Sequence, residues 1–136
     1  MHAIELTPNL SVSGQISPDD VTAMAQAGFT VLVCNRPDGE SPDQPTMAAM
    51  AAACGAAGIR FVEYPVNPMT FPGDDPTMIG DIFSSHDAER VFAYCRTGTR
   101  CTNLWVATRP AEERAAAIEH ARGLGFDLSL AMRMLG

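Results

Sequence analysis

The chain has 136 residues with 46% hydrophobic side chains, which suffices for one globular domain with a buried core over residues 1–136. Nine Lys and Arg against sixteen Asp and Glu leave a net charge of −7, and this argues against nucleic-acid binding, which favours a basic surface. No apolar run is long enough to cross a bilayer, and the N-terminus lacks a basic region followed by an apolar core. We therefore expect a cytoplasmic protein without a membrane partner.

The four cysteines are expected to be reduced thiols. They form no Cys-x-x-Cys pair, and no histidine stands near them at ligand spacing; their positions are Cys34, Cys54, Cys95 and Cys101. A zinc site is therefore not expected, and no motif in the sequence indicates a metal or a cofactor.

The first elements predict a sheet edge followed by a helix. Residues 4–6 and 10–13 have the composition of short strands joined by a turn, and the pair should lie at one edge of the sheet. Ser17 is a predicted N-cap with Pro18 in the first helical position, and this helix should continue to Gly28.

The middle of the chain predicts a β-α-β unit. Residues 29–34 are continuously apolar and rich in β-branched side chains, which indicates a parallel strand buried on both faces of a sheet. After a polar loop, a helix is predicted from Pro45 to about Gly58, and a strand at 60–64 follows. This alternation is typical of an α/β sheet whose functional loops gather at the carboxyl ends of the strands.

Further helices should cover the sheet. An Asp-Pro cap at 75–76 predicts a third helix to Ser85, and we place His86 in a solvated turn rather than in a catalytic position. Two short helices at 111–122 and 127–135 should lie on one face of the sheet.

The strongest functional signal follows a predicted strand at 91–94. This strand delivers Cys95 to the end of the sheet, and the apolar residues after Arg100 predict a helix that begins within a residue or two of that arginine. Unpaired N–H groups and the positive end of a helix dipole stabilise a thiolate and bind an oxyanion, and two arginines add cations. We predict Cys95 and Arg100 as catalytic residues, with an anion-binding loop formed by Arg96, Thr97, Gly98, Thr99 and Cys101.

Several roles are open to a cysteine in this position. A cysteine that ends a strand is often only a small buried hydrophobe, but two arginines and a glycine in the five residues after Cys95 favour an anion site. A thiolate below amides and an arginine can attack phosphorus in a phosphate ester, or it can attack a sulfane sulfur and hold it as a persulfide. A third hypothesis is a non-enzymatic anion- or redox-sensing module in which Cys95 and Cys101 form a disulfide.

The length of the loop favours sulfur chemistry. The string Cys95-Arg-Thr-Gly-Thr-Arg100 resembles the short active loop of rhodanese sulfurtransferases, commonly Cys-Arg-x-Gly-x-Arg. In protein tyrosine and dual-specificity phosphatases the arginine stands six residues after the cysteine, a position held here by Cys101.

A wider resemblance extends over nearly the whole chain. One bacterial family has four motifs in the same order as this sequence: Val12-Ser-Gly-Gln-Ile-Ser17, Asn35-Arg-Pro-Asp-Gly-Glu40, Tyr64-Pro-Val66 and Tyr94-Cys-Arg-Thr-Gly-Thr-Arg100. The chain thus resembles the phosphatase-like domain of beta-lactamase hydrolase-like proteins, also labelled a sulfurtransferase family. The resemblance implies a dual-specificity-phosphatase-like α/β fold, a central and mostly parallel sheet flanked by helices, with a rhodanese-type loop. Members occur alone or joined to a metallo-beta-lactamase-fold persulfide dioxygenase, so such a partner would act here in trans.

The chain departs from its relatives in two respects. The family usually has serine where this chain has Cys101 and asparagine where it has Cys34. The phosphatase relatives place a general-acid aspartate after the strand that ends here at Tyr64-Pro-Val66, but this sequence continues Asn67-Pro68-Met69. Asp74 or Asp75 could supply the acid from the irregular loop, although each is more simply a helix cap. Without an acid, whose help is worth about 10²–10⁴-fold, an alkoxide leaves poorly, whereas sulfite leaves without protonation.

The loop after the strand at 29–34 adds candidate pocket residues. Arg36 and Asp38 stand where active-site groups of open α/β sheets collect; alternatively, Arg36 pairs with Asp38 or Glu40 as part of the loop structure. Taken together, the residues and the resemblance predict a sulfurtransferase in which Cys95 takes sulfur from thiosulfate or another small sulfane donor and passes it to a thiol acceptor. A cysteine-dependent phosphatase is the alternative.

Overall fold

The sheet contains five strands in the computed structural model, which describes residues 2–84 and 89–135. They are β1 (Ala3–Thr7), β2 (Leu10–Ser13), β3 (Val31–Cys34), β4 (Arg60–Glu63) and β5 (Val91–Tyr94). Their order across the sheet is β1-β2-β5-β3-β4, and every neighbouring pair is parallel except β1 with β2. The predicted α/β fold with a mostly parallel sheet is confirmed, and β1 forms the predicted edge.

Strand β5 lies at the centre of the sheet, between β2 and β3. All residues of these three strands are buried, which explains their continuously apolar sequences. In the parallel register, Ser13 and Cys34 both lie beside Tyr94. The segments that leave the carboxyl ends of the three strands are therefore brought together at one edge of the sheet.

Helices cover both faces of the sheet in the described ranges. They are α1 (Asp20–Gln26), α2 (Met47–Ala57), α3 (Pro76–Phe83), α4 (Thr99–Ala107), α5 (Arg114–Gly123) and α6 (Ser129–Leu135), with a 3₁₀ turn at Ala111–Glu113. Helices α1 and α2 pack on one face and the other four on the opposite face, as expected for the C-terminal pair. None of these helices is long and apolar enough to cross a membrane.

The first helix begins later than the sequence predicts. Residues 17–20 form a tight turn in which the Asp20 N–H donates to the Ser17 carbonyl at 3.0 Å. The Asp20 carboxylate accepts a hydrogen bond from the Ser17 N–H at 2.9 Å. This bond is the acid's half of the predicted capping box. The Ser17 hydroxyl donates to the same carboxylate at 3.2 Å instead of accepting from the Asp20 N–H, and α1 starts at Asp20 instead of Pro18.

The third helix begins as predicted. The side chain of Asp75 accepts a hydrogen bond from the Met78 N–H at 3.1 Å, and Pro76 occupies the first turn. Asp75 is therefore a helix cap. Ser85, the predicted end of this helix, and His86 lie outside the described residues.

Asn103 fixes α4 against the C-terminal helix. Its Nδ2 donates to the carbonyls of Thr99 and Asp127, each at 2.8 Å, and its Oδ1 accepts from the Ala131 N–H at 3.0 Å. Breaking the hydrogen bonds of a buried side-chain amide costs free energy, so these bonds fix the position of α4, the helix that follows Cys95.

Candidate active site

Cys95 lies directly after β5, at the start of a loop of residues 95–100 that we call the nucleophile loop. The residue is only 1% exposed, and the Gly98 N–H donates to its Sγ at 3.1 Å. Gly98 precedes α4 with φ 87°, a left-handed conformation that glycine adopts without steric cost. The helix begins at Thr99, which confirms the prediction of a helix start near Arg100.

The surroundings of Cys95 stabilise its thiolate. A hydrogen bond from the Cys101 side chain is the main cause that lowers the pKa of Cys95 to about 5. Hydrogen bonds from the N–H groups of Cys101, Thr97 and Gly98 lower the pKa further, whereas burial acts in the opposite direction. Burial and the hydrogen bond between the two side chains raise the pKa of Cys101 well above its usual range. At neutral pH Cys95 is therefore the thiolate and Cys101 the thiol that donates to it.

The pH dependence of alkylation tests this assignment. The rate at which iodoacetamide modifies Cys95 should be constant above pH ~6 and fall below pH 5, because only the thiolate reacts. Cys101→Ala should move the midpoint upward by about one to two pH units, because a hydrogen bond to a charged group contributes about 1.5–3 kcal/mol. Cys101→Ser keeps a hydroxyl donor, so its midpoint should stay near that of the wild type. Equal shifts in both variants, measured by peptide mass spectrometry, would show that Cys101 acts through packing alone.

The other members of the nucleophile loop have different orientations. The N–H groups of Thr97 and Gly98 face the Cys95 sulfur, whereas the Thr99 N–H donates to the Thr97 hydroxyl at 3.4 Å. Arg96 is exposed, and within residues 2–84 and 89–135 its side chain has no hydrogen-bond or ion-pair partner. Its charge is therefore available at the rim of the loop.

Arg100 reaches across the sheet edge to the segments after β3 and β4. Its Nη1 donates to the Val66 carbonyl at 2.9 Å and is 3.5 Å from the Asn35 carbonyl. The Glu40 carboxylate pairs with the same guanidinium, at 3.0 Å from Nη1 and 3.3 Å from Nη2. These contacts hold the arginine in one orientation beside the nucleophile loop.

The two candidate pocket residues have distinct partners. The Arg36 Nε donates to Glu40 at 3.1 Å and its Nη1 to the Gln15 side chain at 3.0 Å, so Arg36 forms one of the ion pairs that the sequence left open. The Asp38 carboxylate accepts from the Met47 N–H at 2.8 Å, at the start of α2. The structure thus links Arg36 to the site through Glu40, and it gives Asp38 a helix-capping contact.

Gly14 contacts the nucleophile loop, a role that the sequence did not reveal. It pairs with Thr97 through an isolated antiparallel bridge, and a Cβ at position 14 would lie 2.9 Å from the Arg96 carbonyl oxygen. The sequence signals were the position of Gly14 directly after a predicted strand and its place in the motif Val12-Ser-Gly-Gln-Ile-Ser17. The contact of Gly14 with Thr97 depends on the pairing of β2 with β5, and no local sequence pattern predicts that pairing.

We expect Gly14→Ala to destabilise the protein by about 1–3 kcal/mol and to slow the reaction of Cys95, because the added methyl group would displace the loop backbone. Urea unfolding and the alkylation rate measure the two effects. Gly55→Ala is the matched control: Gly55 lies in α2 with no atom within 4 Å of an added Cβ, so this change should be neutral or slightly stabilising. Equal behaviour of the two variants would refute the close contact at Gly14.

Between β4 and α3, all of which the structure describes, no carboxylate forms a hydrogen bond or ion pair with the nucleophile loop. The Tyr64 hydroxyl donates to the Pro72 carbonyl at 2.8 Å and accepts from the Asp75 N–H at 3.0 Å, which ties this segment to the start of α3. Over the described ranges, Glu40 is the one carboxylate that forms a hydrogen bond or ion pair with residues 95–100. Both oxygens of Glu40 accept hydrogen bonds from arginines there.

The site combines a thiolate with converging amides and an arginine. The thiolate can attack an electrophilic centre, and the amides and the arginine can bind an oxyanion attached to that centre. Among the described residues, no group of three His, Cys, Asp or Glu side chains is placed to hold a metal ion. A thiolate at the end of the central strand of such a sheet defines a cysteine-based enzyme with a phosphatase-like fold.

The chain belongs to the family described as the phosphatase-like domain of beta-lactamase hydrolase-like proteins, because the family model matches residues 3–112. A beta-lactamase hydrolase-like protein from Agrobacterium fabrum is 30% identical over 138 residues, which cover 99% of this chain and 32% of that protein. The chain therefore spans about a third of the length of the curated relatives it matches.

Solved structures support the same fold. A candidate phosphatase from Neisseria meningitidis has 32% sequence identity and a TM-score of 0.74, and the match covers 96% of this chain and 94% of that one. Tk-PTP in its active form has 17% identity and a TM-score of 0.68, with 98% and 92% covered, and at this identity the likeness concerns the fold alone. The predicted family and the predicted phosphatase-like fold are confirmed.

Proposed function

We propose that the protein is a sulfurtransferase in which Cys95 accepts a sulfur atom from a small sulfane donor and passes it to a thiol. The observation that supports this most directly is a stabilised thiolate in the loop that carries the amides and Arg100. Among the residues that the structure describes, Glu40 is the one carboxylate in hydrogen-bond contact with this loop, and it is bound to arginines. Such a site suits a leaving group that departs without a proton.

With thiosulfate as donor, a bond forms between Cys95 Sγ and the outer sulfur while the sulfur–sulfur bond of thiosulfate breaks. The electron pair of that bond leaves with sulfite, so no acid is needed. The N–H groups of Thr97 and Gly98, which face Sγ, would stabilise the negative charge of the Cys95 persulfide. An acceptor thiolate then attacks the outer sulfur and releases the Cys95 thiolate. The resulting thiol persulfide is the kind of substrate that a persulfide dioxygenase would consume.

A cysteine-dependent phosphatase is the second candidate, and the comparisons support it more strongly than they support sulfur transfer. The Neisseria relative, which this chain covers almost completely, is described as a candidate phosphatase. The same loop would bind the ester phosphate while Cys95 attacks phosphorus. Aryl phosphates are the substrates expected in that case, because their leaving groups need little protonation. We place sulfur transfer first because, in the described part of the chain, the one carboxylate that contacts the loop is engaged with arginines.

Two assays on one preparation separate the candidates. Cyanide-dependent formation of thiocyanate from thiosulfate measures sulfur transfer, and hydrolysis of p-nitrophenyl phosphate measures phosphatase activity. Our proposal requires thiosulfate turnover with a higher kcat/KM than ester hydrolysis. The reverse order would establish the phosphatase, and the absence of both activities would favour the anion- or redox-sensing hypothesis.

A further inference from the structure

Glu40 is shared by the two arginines beside the nucleophile loop. Its Oε1 lies 3.1 Å from Arg36 Nε and 3.3 Å from Arg100 Nη2, and its Oε2 lies 3.0 Å from Arg100 Nη1. The side chains of Arg36 and Arg100 are 6% and 14% exposed and that of Glu40 is 25% exposed. In such partly buried surroundings charges interact more strongly than in bulk water. Glu40 therefore offsets one of the two positive charges of Arg36 and Arg100.

In the described part of the chain, the contacts of Arg100 leave some of its N–H donors available to a second anion. Nη1 is occupied by Val66 and Glu40, and Nη2 uses one of its hydrogens for Glu40. A guanidinium has five N–H donors, and in the described ranges Nε and the second Nη2 hydrogen of Arg100, on the other edge of the fork, have no hydrogen-bond partner. An anion that binds at that edge would leave Glu40 in place, and the carboxylate would repel it from across the guanidinium.

We propose that Glu40 is a specificity-determining residue that biases the site against dianions, such as thiosulfate and phosphate monoesters, and towards a sulfane donor with at most one negative charge at its transferable end, such as a small organic persulfide. This inference rests on the proposed sulfur transfer. With a protonated persulfide, Cys95 Sγ bonds to the outer sulfur and the sulfur–sulfur bond of the donor breaks. The electron pair leaves with the organic thiolate, and the proton stays on the transferred sulfur.

The first experiment measures anion binding without turnover. Sulfate and methanesulfonate have similar shapes but carry two charges and one, and each should protect Cys95 from iodoacetamide. In Glu40→Gln the concentration of sulfate that gives half-protection should fall about five- to tenfold, as expected for a partly exposed ion pair. The change for methanesulfonate should be about the square root of that factor, because its charge is half as large.

Asp43→Asn is the matched control. Asp43 lies in the same loop, its exposed side chain accepts a hydrogen bond from Ser41, and it has no ion pair with an arginine in the part of the chain that the structure describes. This variant changes the net charge by the same amount but should leave both protection constants unchanged. Equal gains for the two anions in Glu40→Gln, no gain, or the same gain in Asp43→Asn would overturn the inference.

The second experiment compares donors. The ratio of kcat/KM for thiosulfate to kcat/KM for an organic persulfide should rise at least about threefold in Glu40→Gln. A ratio that stays constant would contradict a role of Glu40 in specificity. If neither protein transfers sulfur, the proposed function fails, whereas the protection experiment still decides whether Glu40 selects anions by charge.

Discussion

Cys95→Ser should lower kcat/KM for sulfur transfer by ~10³-fold or more, because a serine hydroxyl at neutral pH is neither ionised nor able to form a persulfide. The expectation follows from the low pKa of Cys95, about 5, and from the amides that face its sulfur. Thiocyanate formation gives the rate. Because the residue is buried and the replacement is nearly isosteric, the fold should remain intact, which thermal unfolding checks.

Mass spectrometry tests the intermediate itself. After incubation with thiosulfate and without an acceptor, the wild-type peptide that contains Cys95 should gain the mass of one sulfur atom, and the corresponding peptide of Cys95→Ser should not. Cys54→Ala is the control, because Cys54 belongs to the core on the opposite face of the sheet. An unmodified Cys95 peptide during full turnover would remove the persulfide mechanism.

Arg100→Lys should reduce kcat/KM about 10²-fold even though the charge is retained. The guanidinium binds Val66 and Glu40 and, in the proposed reaction, would also bind the donor, whereas an ammonium group cannot satisfy both sets of partners from one plane. The loss should appear mainly in KM if Arg100 binds donor and transition state equally, and in kcat if its contacts strengthen during the reaction.

Arg60→Lys serves as the control for this exchange, because Arg60 is exposed at the start of β4, the edge strand opposite β1. Its kinetics should match those of the wild type. Wild-type kinetics in Arg100→Lys as well would show that the guanidinium geometry contributes nothing to the reaction, and sulfate protection of Cys95 would then also be unchanged.

The parts of the site that are close together in sequence were predictable. Cys95, the amides after it and the first turn of α4 lie within one short segment, and the apolar residues on either side of it indicated a strand and a helix. The continuous apolar character of residues 29–34 likewise indicated a strand buried on both faces, and β3 occupies such a position between β5 and β4.

The contacts between distant segments were not predictable from local patterns. Glu40 and Arg100 are sixty residues apart, and the pairing of Gly14 with Thr97 depends on the register of β2 against β5. The sequence placed Glu40 in a functional loop but could not show that two arginines share it. The late start of α1 has a local cause, because two capping arrangements of Ser17 and Asp20 compete and the sequence pattern fits both.

The way in which Arg100 is anchored has a consequence for the divergence of this family. Two of its acceptors, the carbonyls of Asn35 and Val66, belong to the main chain, which every amino acid provides. Substitutions at these positions that preserve the strands leave the anchorage intact, whereas a single substitution at Glu40 removes a charge from the site. Because Glu40 also contacts Nη1 and Nη2, a substitution there would leave only the main-chain acceptors to orient the arginine. A homologue that lacks this carboxylate would keep the main-chain acceptors and would have one more net positive charge beside the nucleophile loop.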